Sequence, residues 1–591
     1  MAARKPADCG APVSRLAALV LCLAACAARA EATFEERLVA RALSELQREV
    51  EPAPEGLAVD EVLVYSEDIV GPEDPYPSFV NWPHVKTKRA VVDEELLLRP
   101  GQPWDAGRAQ ESARVLRSLG TLSVARVVPV KSATPGAVSV LVVTKDLWSI
   151  RFNQVFTLVG PLLTYYRNQP HERNFLGRNA VVGLEFVYKR DTLAVGERVE
   201  QRRFLGSRVT AAQSAALVLN HGTGELEGGR AWLYLGQPLY TLAPQWGWSV
   251  SGNCGTQRTR VFQGAEVWQL PLPGSVPGGT VPFIYDASSG GAEANLVRRD
   301  GTRFVRDLQV ALGGYHRRYA APSSLTGAQA AWLTREQLPR SEDAVYLSGS
   351  ARLFEPRYAV YENLDSLGLS EDVQLGPSLL AQARWASPLL LSPVSYLEAG
   401  LRVRQRWSLG GHLLSLSAAA AARYTPGGDA RYGRELVDKR AAVQAYAASP
   451  LLGPVRLVGR AYGLWREQPL TSPLLQLGGD SGLRGLAAEV LSGRNQWLAN
   501  LELRTAPWNI HTLHVGLVLF YDVGTAWNER PAPVHAVGAG LRLRFPQFDT
   551  QVLRLDVGWA LNGPATPLQD RFSASFGQVT DLAPGMLDSP L

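Results

Sequence analysis

Methionine and cysteine are scarce in this 591-residue chain, which holds two Met and four Cys. Cys9 and Cys22 fall within the first thirty residues, leaving Cys254 with at most Cys26. No disulfide framework or thiolate zinc site can be built from that pair. Excess charge is lacking as well: 60 Lys and Arg against 55 Asp and Glu leave a net +5. That excludes the basic surface of a nucleic-acid binder, so no nucleic acid is expected as a partner. With 46% hydrophobic and 19% charged residues, general disorder is excluded too. No apolar run reaches the roughly 18 residues that a membrane-spanning helix needs. Nor does any Gly-x-Ser-x-Gly elbow, His-Glu-x-x-His, phosphate-binding loop or dinucleotide fingerprint stand where a fold could use it, so neither catalysis, metal nor cofactor is expected.

The N-terminus has the pattern of an export signal. Arg4, Lys5 and Arg15 precede the apolar stretch Leu16 to Ala27, and Ala28-Arg29-Ala30 is a small-x-small cleavage site, which assigns residues 1–30 to a signal peptide. Leu23-Ala24-Ala25-Cys26 offers a competing lipobox, in which Cys26 would carry a lipid. Residues 31–56 follow as a helical segment, with Leu38, Val39, Ala42, Leu43 and Leu46 at helical spacing. Residues 57–150 then read as strand, helix, helix, strand, strand. A short strand holds Val62 and Val64, Val85 to Leu98 is helical in character, Asp105 caps a second helix, and two β-branched runs flank a turn at Ser132 to Gly136.

From residue 151 to about 580 the period becomes two. Leu184, Phe186 and Tyr188 oppose Glu185 and Lys189; Leu401, Val403 and Trp407 oppose Arg402, Arg404 and Arg406; Leu553, Leu555 and Val557 oppose Arg554 and Asp556. A soluble sandwich of this length would need several separate cores, and no helical layer or linker divides the region. An antiparallel transmembrane β-barrel with lipid outside and a polar lumen accounts for the alternation, and 430 residues accommodate about sixteen strands. Trp232, Tyr234, Tyr240, Trp246 and Trp248 suit interfacial girdles. Pro271 to Gly301, rich in glycine, reads as an exposed loop, and residues 581–591 as a tail.

Three segments go beyond periodicity. Leu477 to Leu486 contains Gly478, Gly479, Asp480, Arg484 and Gly485, a glycine-rich loop with one arginine. Trp497 to Arg504 puts Asn500, Glu502 and Arg504 on its polar face, and Phe520-Tyr521-Asp522-Val523-Gly524 puts Asp522 and Gly524 on the same kind of face. If that face is the lumen, a loop arginine entering it meets Glu502 and Asp522. These segments resemble those of the BamA/TamA superfamily of outer-membrane barrels. Arg484-Gly485 is similar to its arginine-glycine loop motif, Phe520 to Gly524 to its F-x-D-x-G strand, Asn174 to Asn179 to a turn near the barrel's start, and the strand with Phe572 and Phe576 to its closing strand. The phrase Glu94 to Asp105 resembles a POTRA domain. Departures are Leu483, Leu486 and Asn179, and Thr580 where the family often has Phe.

The resemblance implies a bacterial outer-membrane protein with a POTRA-like periplasmic domain, which inserts or exports client proteins without chemical catalysis. Its partners would be outer-membrane lipids, unfolded outer-membrane or secreted clients, and accessory periplasmic or lipoprotein factors. The alternative is a passive channel or structural surface barrel of the same architecture.

Overall fold

The computed structural model describes residues 34–71, 77–82, 84–240, 245–274, 279–368, 370–471, 474–510, 513–544 and 551–580. The expected signal peptide, lipobox and 581–591 tail lie outside them. The described residues form two compact units, one comprising those up to 149 with 174–179, the other the remainder.

The first unit contains α1 (Phe34–Glu45), β1 (Ala58–Glu67), α2 (Arg89–Glu95), α3 (Ala106–Ser118), β2 (Leu122–Lys131) and β3 (Ala137–Asp146). Its sheet has β3 in the middle, parallel to β1 and antiparallel to β2. The middle strand is covered on both faces, which explains its unbroken β-branched run. Leu141 and Val143 pack against Leu38 and Ala42 of α1, while Val140 and Val142 pack with Val92 of α2 and Leu116 of α3. Asp105 accepts the Arg108 N–H at 2.9 Å and caps α3. Of the stretch Val85 to Leu98, only Arg89–Glu95 is helical: Leu96 turns extended, and Leu96 and Leu98 fill the core beneath the sheet.

The second unit is a closed antiparallel barrel. Its strands are β4 (Ile150–Val159), β5 (Leu162–Glu172), β6 (Ala180–Lys189), β7 (Thr192–Gln201), β8 (Thr210–Asn220), β9 (Leu226–Gln237) and β10 (Gln245–Arg260). There follow β11 (Ile284–Asp300), β12 (Val305–Ala320), β13 (Glu342–Phe354), β14 (Gly376–Ala386), β15 (Tyr396–Leu409), β16 (His412–Tyr424), β17 (Leu436–Ala448) and β18 (Val455–Glu467). The last are β19 (Asn495–Thr505, continued by Trp508–Ile510), β20 (Leu513–Trp527), β21 (Val534–Arg544), β22 (Leu553–Ala560) and β23 (Phe572–Phe576).

The barrel therefore has twenty strands rather than sixteen. Sixteen assumed about 27 residues per strand with its connection. Several turns are far tighter: Gly160-Pro161, Arg190-Asp191 and Gly410-Gly411 each join two strands through two residues. A whole strand also lies inside the expected loop Pro271 to Gly301. Only its start is a loop hairpin (Gln269–Pro271 with Thr280–Pro282), whereas Ile284–Asp300 is the longest barrel strand, with Gly290 and Gly291 opposite Cys254 and Asn253. Two glycines in the middle of a strand give a loop-like composition, but the neighbouring backbones pair across them without interruption.

Alternation sorts the faces. Leu401, Val403, Leu501, Leu503, Leu517 and Leu519 are exposed outside, whereas Asn500, Glu502, Arg504 and Asp522 are buried in the lumen. The girdle splits accordingly. Trp246 and Trp248 share the outer face with Val250, but Trp232 and Tyr234 lie opposite Asn253 and Ser251, on the luminal face with Arg230 and Glu185. Their even numbering places them with Arg230, while Leu233 and Leu235 take the lipid side. Leu519→Arg, on the outer face near the middle of β20, should cost about 2–4 kcal/mol of unfolding free energy in phospholipid vesicles, followed by tryptophan fluorescence in urea. An unchanged midpoint would mean that this face does not meet hydrocarbon.

Candidate functional site

The connection between β18 and β19 builds the site. Its stem is a small hairpin, Leu475–Leu477 with Leu491–Gly493. Beyond the stem the loop is held by its own contacts: the Gly478 N–H donates to Ser481 Oγ at 2.8 Å, and Leu483 and Leu486 are buried with Leu498 and Val534. The two leucines, departures from the branched and aromatic residues of the motif, thus serve as apolar anchors. Gly485 has φ +80° and lies so close to Gly558 of β22 that a Cβ would come within 2.7 Å of that backbone. Glycine at both positions lets the loop touch the wall.

This approach delivers Arg484 to the luminal wall with no exposed surface. Its Nε and Nη2 each donate to Asp522 at 2.8 Å, forming a two-pronged pair, and its own backbone N–H donates to the same carboxylate at 3.2 Å. Nη1 donates to Glu502 at 2.8 Å and reaches Asp556 at 3.5 Å. The guanidinium also stacks 3.6 Å above the Phe520 ring, and Gly538 is small because a Cβ there would strike that ring. Burial works against the charge, but Asp522 and Glu502 outweigh it and hold the guanidinium's pKa above its ordinary value.

The surrounding charges balance. Arg484, Arg504, Arg542 and Arg554 face Asp480, Glu502, Asp522 and Asp556, four against four. Arg542 pairs with Asp556 at 2.7 Å, and Arg554 bridges Asp556 and the loop's own Asp480. Asn500 joins the loop to the wall by donating to both the Gly482 carbonyl and Asp522 at 2.7 Å. Asp556 and Arg542 enlarge the pair of acids read from the motifs. Asp556 already stood on the polar side of an alternating strand, yet only the strand register shows that it reaches Arg484 and that Arg542 pairs with it.

The other motif residues lie elsewhere. Gly524 packs against Leu498 beside the site. Phe572 and Phe576 are on β23, where Phe576 meets Phe156 edge-on at 5.3 Å. Asn174 belongs to the first unit, where it donates to the Val85 carbonyl and to Thr87 Oγ1 at 3.0 Å and accepts the Asn179 N–H. Asn179 adopts φ +51°, a left-handed conformation that asparagine tolerates in place of the commoner glycine. Of the arginines on the polar face of β15, Arg404 donates to Gln374 at 3.0 Å and Arg406 to Ser415 at 3.3 Å.

Residues 465–579, which enclose the loop, the three strand carboxylates that face Arg484 and the closing strand, match the model of the Omp85 superfamily domain. The resemblance of its motifs to BamA/TamA barrels is borne out over that stretch. Among solved structures, BamA from Haemophilus ducreyi lacking POTRA domains 1–3 is 13% identical, with a TM-score of 0.38 over 88% of this chain and 84% of that one. CdiB from Acinetobacter baumannii is 12% identical, with a TM-score of 0.39 over 97% and 88%. CdiB from Escherichia coli is 11% identical, with a TM-score of 0.40 over 90% and 79%. No curated protein matches the chain.

Arg484→Ala should leave the protein in membranes but release the loop, because removing one partner of a buried pair costs about 3–5 kcal/mol. Limited proteolysis and heat-modifiable gel mobility read this directly. Resistance and mobility equal to wild type would show that the clamp does not hold the loop.

Proposed function

We propose that this Omp85-type barrel assembles or translocates client proteins at the outer membrane, using the seam between β4 and β23 and no chemical step. The observation that carries the reading is the closure of the barrel. Only Thr157, Leu158 and Val159 pair with Ser575, Ala574 and Ser573, against five register pairs between β22 and β23 and ten between β4 and β5. Among the described residues, no further register pair joins the rest of β4 to β23. Unpaired backbone groups facing hydrocarbon cost several kcal/mol each, so this edge favours any extended segment that can pair with it. A client strand bearing its own hairpins would be templated there, by the edge pairing that most β proteins suppress.

In this reading the first unit is a POTRA-like domain on the periplasmic side, spanning roughly residues 57–150 after a cleaved leader, and it passes extended segments to the barrel. The Arg484 clamp keeps the loop of residues 474–494 inside the lumen while the seam works. The competing reading, a passive channel or structural barrel, has no use for so short a seam.

Leu158→Cys with Ala574→Cys, register partners in the seam, should lock it when oxidised in a Cys254→Ser background. The locked protein should lose client insertion into vesicles and recover it on reduction. A photo-crosslinker at Asn153 should trap a client strand only in the reduced protein. Undiminished insertion by the locked protein would refute the seam mechanism.

A further inference from the structure

We infer that this barrel carries its own plug, a hairpin and the residues just after β23 that close its lumen to steady ion flow. The inference rests on the function proposed above. It comes from two segments at the end of the barrel where β4 begins and β23 finishes.

The first segment is the connection between β13 and β14. Instead of a short turn it forms a hairpin, Tyr358–Glu362 with Ser370–Gln374, folded into the lumen. Tyr361, Leu364, Val373 and Leu375 are buried against Leu413, Tyr446 and Val458 of the inner wall. Arginines from three strands grip its backbone. Arg456 of β18 donates to the carbonyls of Glu362 and Asn363 at 2.7 and 2.9 Å, Arg504 of β19 to that of Leu364 at 2.6 Å, and Arg544 of β21 to that of Leu367 at 2.8 Å. The N–H groups of Leu364, Asp365 and Ser366 donate to Glu371, so the tip presents its amides to its own carboxylate and its carbonyls to the wall. A segment dipped loosely into a water-filled pore would leave these groups to solvent.

The second segment is residues 577–580, which follow β23. It turns inward at Gly577, φ +86°, and does not leave along the strand direction. Gln578 accepts from Arg542 at 3.0 Å, the Val579 carbonyl from Arg460 at 3.2 Å, and the Thr580 carbonyl from Arg504; Thr580 has no exposed surface. Arg504 therefore holds both segments, and its Nε donates to Glu502 at 2.8 Å, the carboxylate that also takes Arg484. Plug and clamp share this carboxylate. At the opposite end, the loops after β10 and β12 bury Leu270, Phe283, Leu333 and Leu338 in one cluster.

These contacts close the lumen at that end, independently of the seam. Planar-bilayer recording of the full-length protein tests the plug without a client. The wild type should show no steady open state, whereas Arg456→Gln with Arg544→Gln, which spares the Arg484 clamp, should raise steady conductance at least tenfold. A chain ended after Gly577 should raise it too, providing a second route if the double variant does not fold. A steady, large conductance of the wild type would overturn the inference, as would wild-type conductance in a folded variant. If the wild type conducts yet the seam lock blocks insertion, the plug fails and the proposed function stands. If the wild type is tight and the lock is without effect, the plug stands and the proposed function fails.

Discussion

Hydrocarbon gives a backbone no hydrogen bonds, so a chain that crosses it in strands must close on itself, and the polar side chains this sends inward must settle among themselves. Both obligations shape this barrel. The wall meets the first with nineteen well-paired neighbours and one brief contact between β4 and β23. The lumen meets the second with alternating arginines and carboxylates, centred on Arg484, Glu502, Asp522 and Asp556. Charges this deep are tolerable only in company, because desolvating one costs several kcal/mol that an isolated group cannot recover. The loop that supplies Arg484 is therefore part of the wall's electrostatic balance.

Alternation legible in the sequence extended to the lumen itself. Asn500, Glu502 and Arg504 stood on one face of their segment, Asp522 on another, and a loop arginine was the obvious cation between them. Distances over which the chain folds back were not legible. That Asp556 reaches Arg484, or that Arg456 and Arg504 grip a hairpin more than ninety residues upstream, depends on barrel register, which no local period encodes. The strand count failed for a related reason: turn length is not written in hydrophobicity, and a strand with Gly290 and Gly291 at its middle looks like a loop until its neighbours are known. Trp232 and Tyr234 show the limit of reasoning from residue type alone, since an aromatic prefers an interface only if its parity points it there.

Arg504 deserves comparison with Arg484, because the two share Glu502 but face different segments. One belongs to the wall and holds backbone carbonyls, which carry no net charge; the other belongs to a loop and holds carboxylates. The first kind of contact can be surrendered to water or to another strand at modest cost, the second cannot. Loop and plug are thus fastened with unequal strength through a common acid, and the plug is the more readily displaced.

The inward turn at Gly577 also bears on how the barrel is made. The residues drawn inside, Gln578 to Thr580, follow the closing strand in the chain, and their partners Arg460, Arg504 and Arg542 sit on a wall that must already exist to receive them. Closure by β23 and the capture of Gln578 to Thr580 are consequently coupled: the strand that shuts the seam is tied from within by the three residues that follow it.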